Sequence, residues 1–162
     1  MSLALLSLGS NIEPEKYLSL AANDLRQQFP TVAFSPVYRY AAVGFEGPDF
    51  FNAAAMVETA LSPQKLNDWL HALEDTHGRR RDVPRFSSRT LDIDLVLYDQ
   101  VVMEGEGNLK LPRSDLKHAF VLEPLAILAP TFIEPLSGKT LLSLWQGHAD
   151  YSSPARMEAL VL

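Results

Sequence analysis

The sequence contains no cysteine among its 162 residues. Disulfide bonds, thiolate metal sites and a cysteine nucleophile are therefore excluded, and we expect a reducing, cytoplasmic environment. Long hydrophobic runs are missing as well. The apolar segment 1–6 reaches Gly9-Ser10-Asn11 before a signal peptide or membrane span would be complete. We expect a first strand here, a structural turn at residues 9–11 into a first helix, and no membrane association.

Positive charge is also scarce. The net charge of −6 argues against general nucleic-acid binding, because phosphate neutralisation needs a surplus of Lys and Arg on one face. The exception is segment 79–89, which holds five arginines and one acid; its local charge of +4 leaves −10 for the rest of the chain. This distribution indicates a local anion site on an acidic protein. No Gly-x-x-x-x-Gly-Lys motif is present, which argues against a P-loop enzyme.

The order of apolar patterns predicts the fold. A hydrophobic fraction of 47% suits one globular domain spanning residues 1–162. Strand-length segments occur at 3–8, 32–38, 50–58 and 90–98, and helical patterns at 14–29, 62–78, 115–128 and 141–145. This order predicts an α+β fold, a ferredoxin-like split βαβ sandwich. In such a fold helices cover one face of a mostly antiparallel sheet, and the other face stays open for a ligand.

The segment RTLDIDLVL at 89–97 places two acids inside an apolar strand. Strand alternation puts Asp92 and Asp94 on one face, while Leu91, Ile93 and Leu95 point to the core. Two carboxylates roughly 7 Å apart repel one another when desolvated, so we expect a cation between them. Mg²⁺ fits, because it takes one or two carboxylates and completes its coordination with water and phosphate. The alternatives are that both acids face solvent or pair with arginines.

The arginines at 79, 80, 81, 85 and 89 favour the metal interpretation. Guanidinium groups present a planar fork of donors to phosphate oxygens and keep their charge near neutrality. Beside a carboxylate pair, they predict a polyphosphate held between arginines and metal. A solvated charge run is the alternative for Arg79, Arg80 and Arg81, and it is the better interpretation for Arg80.

Three motifs together carry a resemblance to a known family: L-G-S-N at 8–11, F-x-N-A-A at 50–54 and R-x-x-x-R-T-L-D-I-D-L at 85–95. In this order they closely resemble the 6-hydroxymethyl-7,8-dihydropterin pyrophosphokinase family of folate synthesis, over nearly the whole chain. The resemblance implies transfer of the β,γ-pyrophosphoryl group of ATP to the hydroxymethyl oxygen of the pterin, with release of AMP. It also implies two Mg²⁺ ions on Asp92 and Asp94. We expect a monomer that binds ATP and this pterin, and no nucleic acid.

The resemblance also assigns site residues. For catalysis these are Arg81, Arg85, Arg89, Asp92 and Asp94; for ATP they are His71, Glu74, Arg79, Arg81, Arg85, Arg89, Arg113 and His118; for the pterin they are Val43, Gly44, Phe50, Asn52, Phe86 and Phe120. Asn52 is expected to hydrogen-bond the pterin edge and the rings of Phe50 and Phe120 to stack on it. The alternatives are an ordinary polar helix face for His71 and Glu74, and plain core for the two phenylalanines.

Several loop positions differ from the family pattern. Ser87-Ser88 stands for Gly-Pro, Phe86 for a tryptophan, Tyr40-Ala41-Ala42 for a segment with Thr-Pro, Arg113 for a histidine and His118 for an arginine. These differences leave two alternatives: a non-catalytic paralogue that binds a pterin or nucleotide, and an enzyme for a related pterin. A nucleic-acid contact through the arginines is a third interpretation, which the charge of −10 elsewhere disfavours.

Overall fold

The structure, a computed structural model, describes residues 1–78 and 88–162. Its elements are β1 (Ser2–Ser10), α1 (Pro14–Gln28), β2 (Thr31–Phe34), β3 (Tyr38–Tyr40), β4 (Phe50–Thr59), α2 (Pro63–Thr76), β5 (Asp92–Tyr98), β6 (Met103–Glu104), β7 (Lys110–Leu111), a 3₁₀ turn (Ser114–Lys117), α3 (Ala119–Leu128), α4 (Leu141–Gln146) and β8 (Arg156–Met157). Within these two ranges, no helix has both the length and the apolar character needed to cross a bilayer.

The main sheet is antiparallel and has the strand order β5-β1-β4-β3-β8, with β2 also paired to β4. Strand β1 therefore lies between β4 and β5, and β4 separates β1 from the strand that follows α1. This is the split βαβ arrangement, so the predicted ferredoxin-like fold is confirmed. Strands β6 and β7 form a separate hairpin.

The predicted strand at 32–38 is two short strands, β2 and β3, which follow one another along β4. The break falls at Ser35-Pro36, because proline has no N–H to continue a strand ladder. Ser35 keeps the two strands on β4: its N–H donates to the Ala54 carbonyl at 2.9 Å, and its Oγ accepts from the Ala54 N–H at 2.8 Å.

Helices α1 and α2 cover one face of the sheet, as predicted. Each begins with a proline, and Ser62 caps α2 by accepting a hydrogen bond from the Lys65 N–H at 3.3 Å. Their apolar stripes pack against alternate residues of β1, β4 and β5. This core includes Leu6, Leu8, Leu18, Leu25, Val57, Leu66, Leu70, Ile93 and Leu95.

The opposite face of the sheet is not fully open, which corrects the expectation that helices cover one face only. Helices α3 and α4 pack there over Leu5, Ala54, Val96 and Leu97 and bury Trp145 with them. The predicted helix at 115–128 consists of the 3₁₀ turn and α3, and Pro124 lies inside α3 without ending it. At the other end of this face, polar residues leave the sheet uncovered.

Candidate active site

A cavity of about 420 Å³ lies over the uncovered end of this sheet face. The strand ends of β1, β4 and β5, loop 41–49, helix α2, hairpin β6–β7 and the start of α3 all contribute to its wall. The predicted site residues that line it are Val43, Phe50, Asn52, His71, Glu74, Arg89, Asp92, Asp94, Arg113, His118 and Phe120. The structure thus brings together side chains predicted for metal, nucleotide and pterin.

The remaining predicted residues are placed differently. Gly44 is not part of the cavity wall; it adopts a left-handed conformation with φ of 82° beside Val43, which does line the cavity. Arg79, Arg80, Arg81, Arg85 and Phe86 lie outside the described residues, so their predicted roles stay predictions.

Three carboxyl groups form an acidic cluster in the cavity: Glu74, Asp92 and Asp94. Ligand oxygens of all three lie within 4.8 Å of one another. The alternation of β5 is as predicted, because Leu91, Ile93 and Leu95 are buried in the core while the two aspartates are partly exposed. Glu74 reaches the cluster from α2, where it is buried, and its Oε2 accepts a hydrogen bond from the Ile93 N–H at 3.0 Å.

The environment of Glu74 favours its neutral form. Burial, the negative charges of Asp92 and Asp94, and a hydrogen bond to Asp92 raise the pKa of Glu74 to about 8, against the lowering effect of the Ile93 N–H. Without a cation, the chain therefore reduces repulsion inside the cluster by keeping a proton on Glu74. A set of carboxylate oxygens at this spacing fits a hard divalent cation such as Mg²⁺.

Arg113 supplies positive charge beside the acidic cluster. Its Nη2 lies 3.5 Å from Asp94 Oδ1, and its Nε donates to Asp115 Oδ2 at 3.1 Å. Burial by itself would lower the pKa of Arg113, but the two aspartates outweigh that effect and raise it. A guanidinium held at this position can also contact a phosphate group in the cavity.

Hairpin β6–β7 adds two cavity residues that the sequence reasoning missed, Asn108 and Lys110. Its loop is fixed to α2 by Gln64, whose Nε2 donates to the Glu106 carbonyl at 3.0 Å and whose Oε1 accepts from the Glu106 N–H at 3.0 Å. The two residues reach the cavity through this long-range contact, which no local pattern signals.

Asn11, in the L-G-S-N motif, fixes the entry to β5. Its Oδ1 accepts from the Arg89 N–H at 2.8 Å, its N–H donates to the Arg89 carbonyl at 3.1 Å, and its Nδ2 donates to the Pro48 carbonyl at 3.0 Å. Buried Arg89 is thereby held between β1 and loop 41–49. This arrangement agrees with the structural role expected for Asn11, but the expected turn at residues 9–11 is corrected: Gly9 and Ser10 belong to β1, and the turn begins at Asn11.

Gly9 and Asn52 are partners across β1 and β4 and both line the cavity. A Cβ at Gly9 would lie 2.8 Å from Asn52 Nδ2, so only glycine leaves room for this amide. Asn52 is 5% exposed and its Nδ2 donates to the Leu8 carbonyl at 3.5 Å. Its Oδ1 is buried and meets no hydrogen-bond donor in the described ranges. Such an acceptor costs about 1–3 kcal/mol, which a ligand N–H would recover.

Aromatic rings form the wall near Asn52. Phe50 and Phe120 are only partly buried and line the cavity, which favours the stacking role over plain core, although Phe120 also packs against the core under α3 and α4. The His118 ring stacks on Phe120 with centroids 5.1 Å apart and planes inclined by 10°. Tyr40 meets Phe120 edge-on at 6.4 Å, and Phe45 meets Phe50 edge-on at 6.3 Å. Flat apolar surfaces beside an unpaired amide oxygen suit a planar heterocycle.

Comparison with known proteins relates this chain to one family. Residues 5–130 match the family model of 7,8-dihydro-6-hydroxymethylpterin-pyrophosphokinase (HPPK). The chain is 40% identical over 134 residues to the 2-amino-4-hydroxy-6-hydroxymethyldihydropteridine pyrophosphokinase of Pseudomonas aeruginosa, covering 76% of this chain and 78% of the relative. It is 34% identical over 145 residues to the Synechocystis protein of the same name, covering 87% and 73%.

Solved structures agree at the level of the fold. HPPK-DHPS of Plasmodium falciparum aligns with a TM-score of 0.61 and 13% identity over 90% of this chain. An HPPK-DHPS in complex with substrates aligns with a TM-score of 0.66 and 13% identity over 94% of this chain. This chain spans less than half of those two chains, 43% of each. The extent of the family match and the identity to curated relatives show that the chain belongs to the 7,8-dihydro-6-hydroxymethylpterin-pyrophosphokinase family.

Proposed function

We propose that the chain transfers the β,γ-pyrophosphoryl group of ATP to the hydroxymethyl oxygen of 6-hydroxymethyl-7,8-dihydropterin and releases AMP. The observation that carries the proposal is a single cavity lined both by the cluster of Glu74, Asp92 and Asp94 and by Asn52, with its unpaired buried oxygen. The carboxyl cluster suits a metal ion bound to a polyphosphate. The Asn52 oxygen suits a heterocycle that carries N–H groups. Membership of the family supports the same reaction.

Asn52 is the proposed polar contact to the pterin. The amino group and ring N–H of a pterin are donors, and the Asn52 Oδ1 is an acceptor that still needs one. The partly buried rings of Phe50 and Phe120 stack on the bicyclic ring system, and Val43 and Gly44 contribute backbone contacts from loop 41–49. Phe86 is proposed for this set on its sequence position alone.

Arginines form the proposed nucleotide end. Arg89 and Arg113 line the cavity, and Arg79, Arg81 and Arg85 complete the set on sequence grounds, with Arg81, Arg85 and Arg89 acting on the transferred group. Their charge stabilises the negative charge that phosphoryl transfer spreads over the phosphate oxygens. The half-buried His71 and His118 are proposed as further ATP contacts, and Glu74 supports Asp92 through its hydrogen bond.

Asp92 and Asp94 are the proposed ligands of Mg²⁺, and we propose two ions. Bound there, Mg²⁺ supplies positive charge to the phosphate oxygens and aligns the attacking and leaving oxygens. The chain's own part is to hold both aspartates on one rigid strand. Arg113 also pairs with Asp94 at 3.5 Å, which limits the orientations open to that carboxylate.

Product analysis tests the proposal directly. ATP, Mg²⁺ and authentic 6-hydroxymethyl-7,8-dihydropterin should give AMP and the pterin diphosphate in equal amounts. ADP as the sole nucleotide product would overturn the reaction. Calorimetry distinguishes the non-catalytic alternative, which requires pterin binding without AMP formation at saturating Mg²⁺. A related pterin that turns over with a much higher kcat/KM would instead assign a different substrate.

Gly9→Ala should raise the KM for the pterin by about tenfold, because the new methyl would lie 2.8 Å from Asn52 Nδ2 and displace the amide from its position. Steady-state kinetics with each substrate varied separately measures the effect, and the KM for ATP should change less than twofold. Gly147→Ala is the matched control, because its Cβ meets only ordinary contacts at 3.6 Å and beyond, outside the cavity. An unchanged pterin KM in Gly9→Ala would contradict the placement of Asn52 at the pterin.

A further inference from the structure

A buried carboxyl group outside the acidic cluster lies directly behind the aromatic wall. Glu123 is in α3, one turn after Phe120, and is 4% exposed. Its Oε1 accepts hydrogen bonds from the Tyr40 hydroxyl and from the Ala155 N–H, the latter at 3.2 Å. Burial of a carboxyl group costs free energy unless donors replace its hydration, and these two donors do so.

Tyr40 connects this carboxyl group to the cavity. It is the last residue of β3 and leads directly into loop 41–49, and it lines the cavity near Phe120. Its hydroxyl also lies 3.3 Å from the Ala119 carbonyl, at the first residue of α3. Burial, followed by the hydrogen bond to Glu123, raises the pKa of Tyr40, so the hydroxyl keeps its proton and remains a donor.

The hydrogen-bonded pair of Tyr40 and Glu123 therefore joins three segments: the end of β3, the first turns of α3, and the C-terminal segment, whose Ala155 N–H donates to Glu123. That segment is itself held along β3, because β8 pairs with β3 and Arg39 Nε bonds to Glu158 Oε1 at 2.7 Å. The side chains of Tyr40 and Glu123 thus span the gap between β3 and α3 beside the aromatic wall.

We propose that Tyr40 and Glu123 are positioning residues that set the width of the cavity for its planar substrate. Tyr40 holds Phe120 and the start of loop 41–49 at a fixed spacing, and Glu123 holds Tyr40. The inference rests on the proposed pterin substrate. Loss of the hydrogen bond leaves the acidic cluster and Arg113 in place, so its effect on the pterin exceeds its effect on the nucleotide, which it reaches only through His118 stacked on Phe120. A wider cavity also discriminates less well against pterins with bulkier 6-substituents.

Tyr40→Phe removes the hydroxyl and keeps the ring. The expected result is a rise of about tenfold in the KM for 6-hydroxymethyl-7,8-dihydropterin, with kcat and the KM for ATP within about twofold of wild type. Tyr98→Phe is the control, because Tyr98 is more deeply buried than Tyr40 and its hydroxyl bonds to the Leu61 carbonyl at 2.6 Å, away from the cavity. A general loss of packing would change both variants alike.

Glu123 provides an independent pair of variants. Glu123→Gln keeps an oxygen for both donors and should preserve the wild-type pterin KM, whereas Glu123→Asp is one methylene shorter and should raise it as Tyr40→Phe does. Glu123→Asp also keeps the test decisive if Tyr40→Phe does not fold. Circular dichroism at the assay temperature identifies folded variants.

The outcomes separate this inference from the proposed function. Wild-type chain that neither binds the pterin nor forms AMP would overturn both. Wild-type activity that is unchanged in Tyr40→Phe and Glu123→Asp would overturn the inference alone. Parallel increases in the KM values for pterin and ATP would also overturn it, because they indicate general loosening of the site.

Discussion

Asp92→Asn and Asp94→Asn should each lower the rate of AMP formation by at least about 100-fold, because each removes a carboxylate from the proposed metal site while keeping side-chain shape. Neither change should unfold the chain. Asp92 lies among carboxyl groups that repel one another in the absence of a cation, so its neutralisation should leave the melting temperature of the metal-free protein unchanged or raised. Lost activity without lost stability is the expected signature of a site arranged for a ligand.

Two measurements check this result: the rate of AMP release at saturating substrates, and Mn²⁺ binding followed by electron paramagnetic resonance. Asp68→Asn is the control, because it makes the same chemical change on the exposed surface of α2. Turnover above a tenth of the wild-type rate in both variants would contradict the proposed role of the aspartates. If a variant loses Mn²⁺ binding and turnover to the same extent, its loss of activity is due to loss of the metal ion.

The sequence predicted those features that depend on local periodicity. Alternation in β5 placed Asp92 and Asp94 opposite Leu91 and Ile93, and the structure has that arrangement. The helices α1 and α2 begin where proline and Ser62 indicated. These predictions succeed because strand and helix periods depend on the backbone alone.

The second face of the sheet was not predicted. Helix α3 is apolar on nearly all sides, so it has no stripe from which to infer a direction of packing. A signal was present in β1, where residues 3–6 are all apolar; an uninterrupted apolar run indicates a strand buried on both faces. Leu5 is the residue that packs under α3 and α4.

The missed cavity residues depend on contacts between distant segments. Lys110 reaches the cavity because Gln64 holds the hairpin loop. Gly9 leaves room for the Asn52 amide because the register of β1 and β4 places the two residues side by side. Neither contact has a local pattern. Glu74 was predicted through the family resemblance, and its place beside Asp92 follows from the packing of α2 on β5, which the sequence does not specify.

Glu74 should make the stability of the metal-free chain strongly dependent on pH. Its pKa is raised from 4.5 in the ordinary side chain to about 8 in the folded chain. Between these values the folded chain holds a proton that the unfolded chain has released. The free energy of unfolding should therefore be highest below about pH 4.5 for this group and should fall as pH rises through about 8. The full loss is on the order of 5 kcal/mol.

Glu74→Gln isolates this contribution, because the amide is neutral at every pH and can still donate to Asp92 and accept from the Ile93 N–H. The free energy of unfolding is measured with urea in EDTA from pH 5 to pH 9. Wild type and Glu74→Gln should be similarly stable at pH 5, and Glu74→Gln should be more stable than wild type by several kcal/mol at pH 9. Glu58→Gln, which changes an exposed side chain near the end of β4, controls for the loss of a carboxylate. Parallel curves for wild type and Glu74→Gln would show that Glu74 is already ionised in the folded chain, and the cluster would then carry three negative charges before any cation binds.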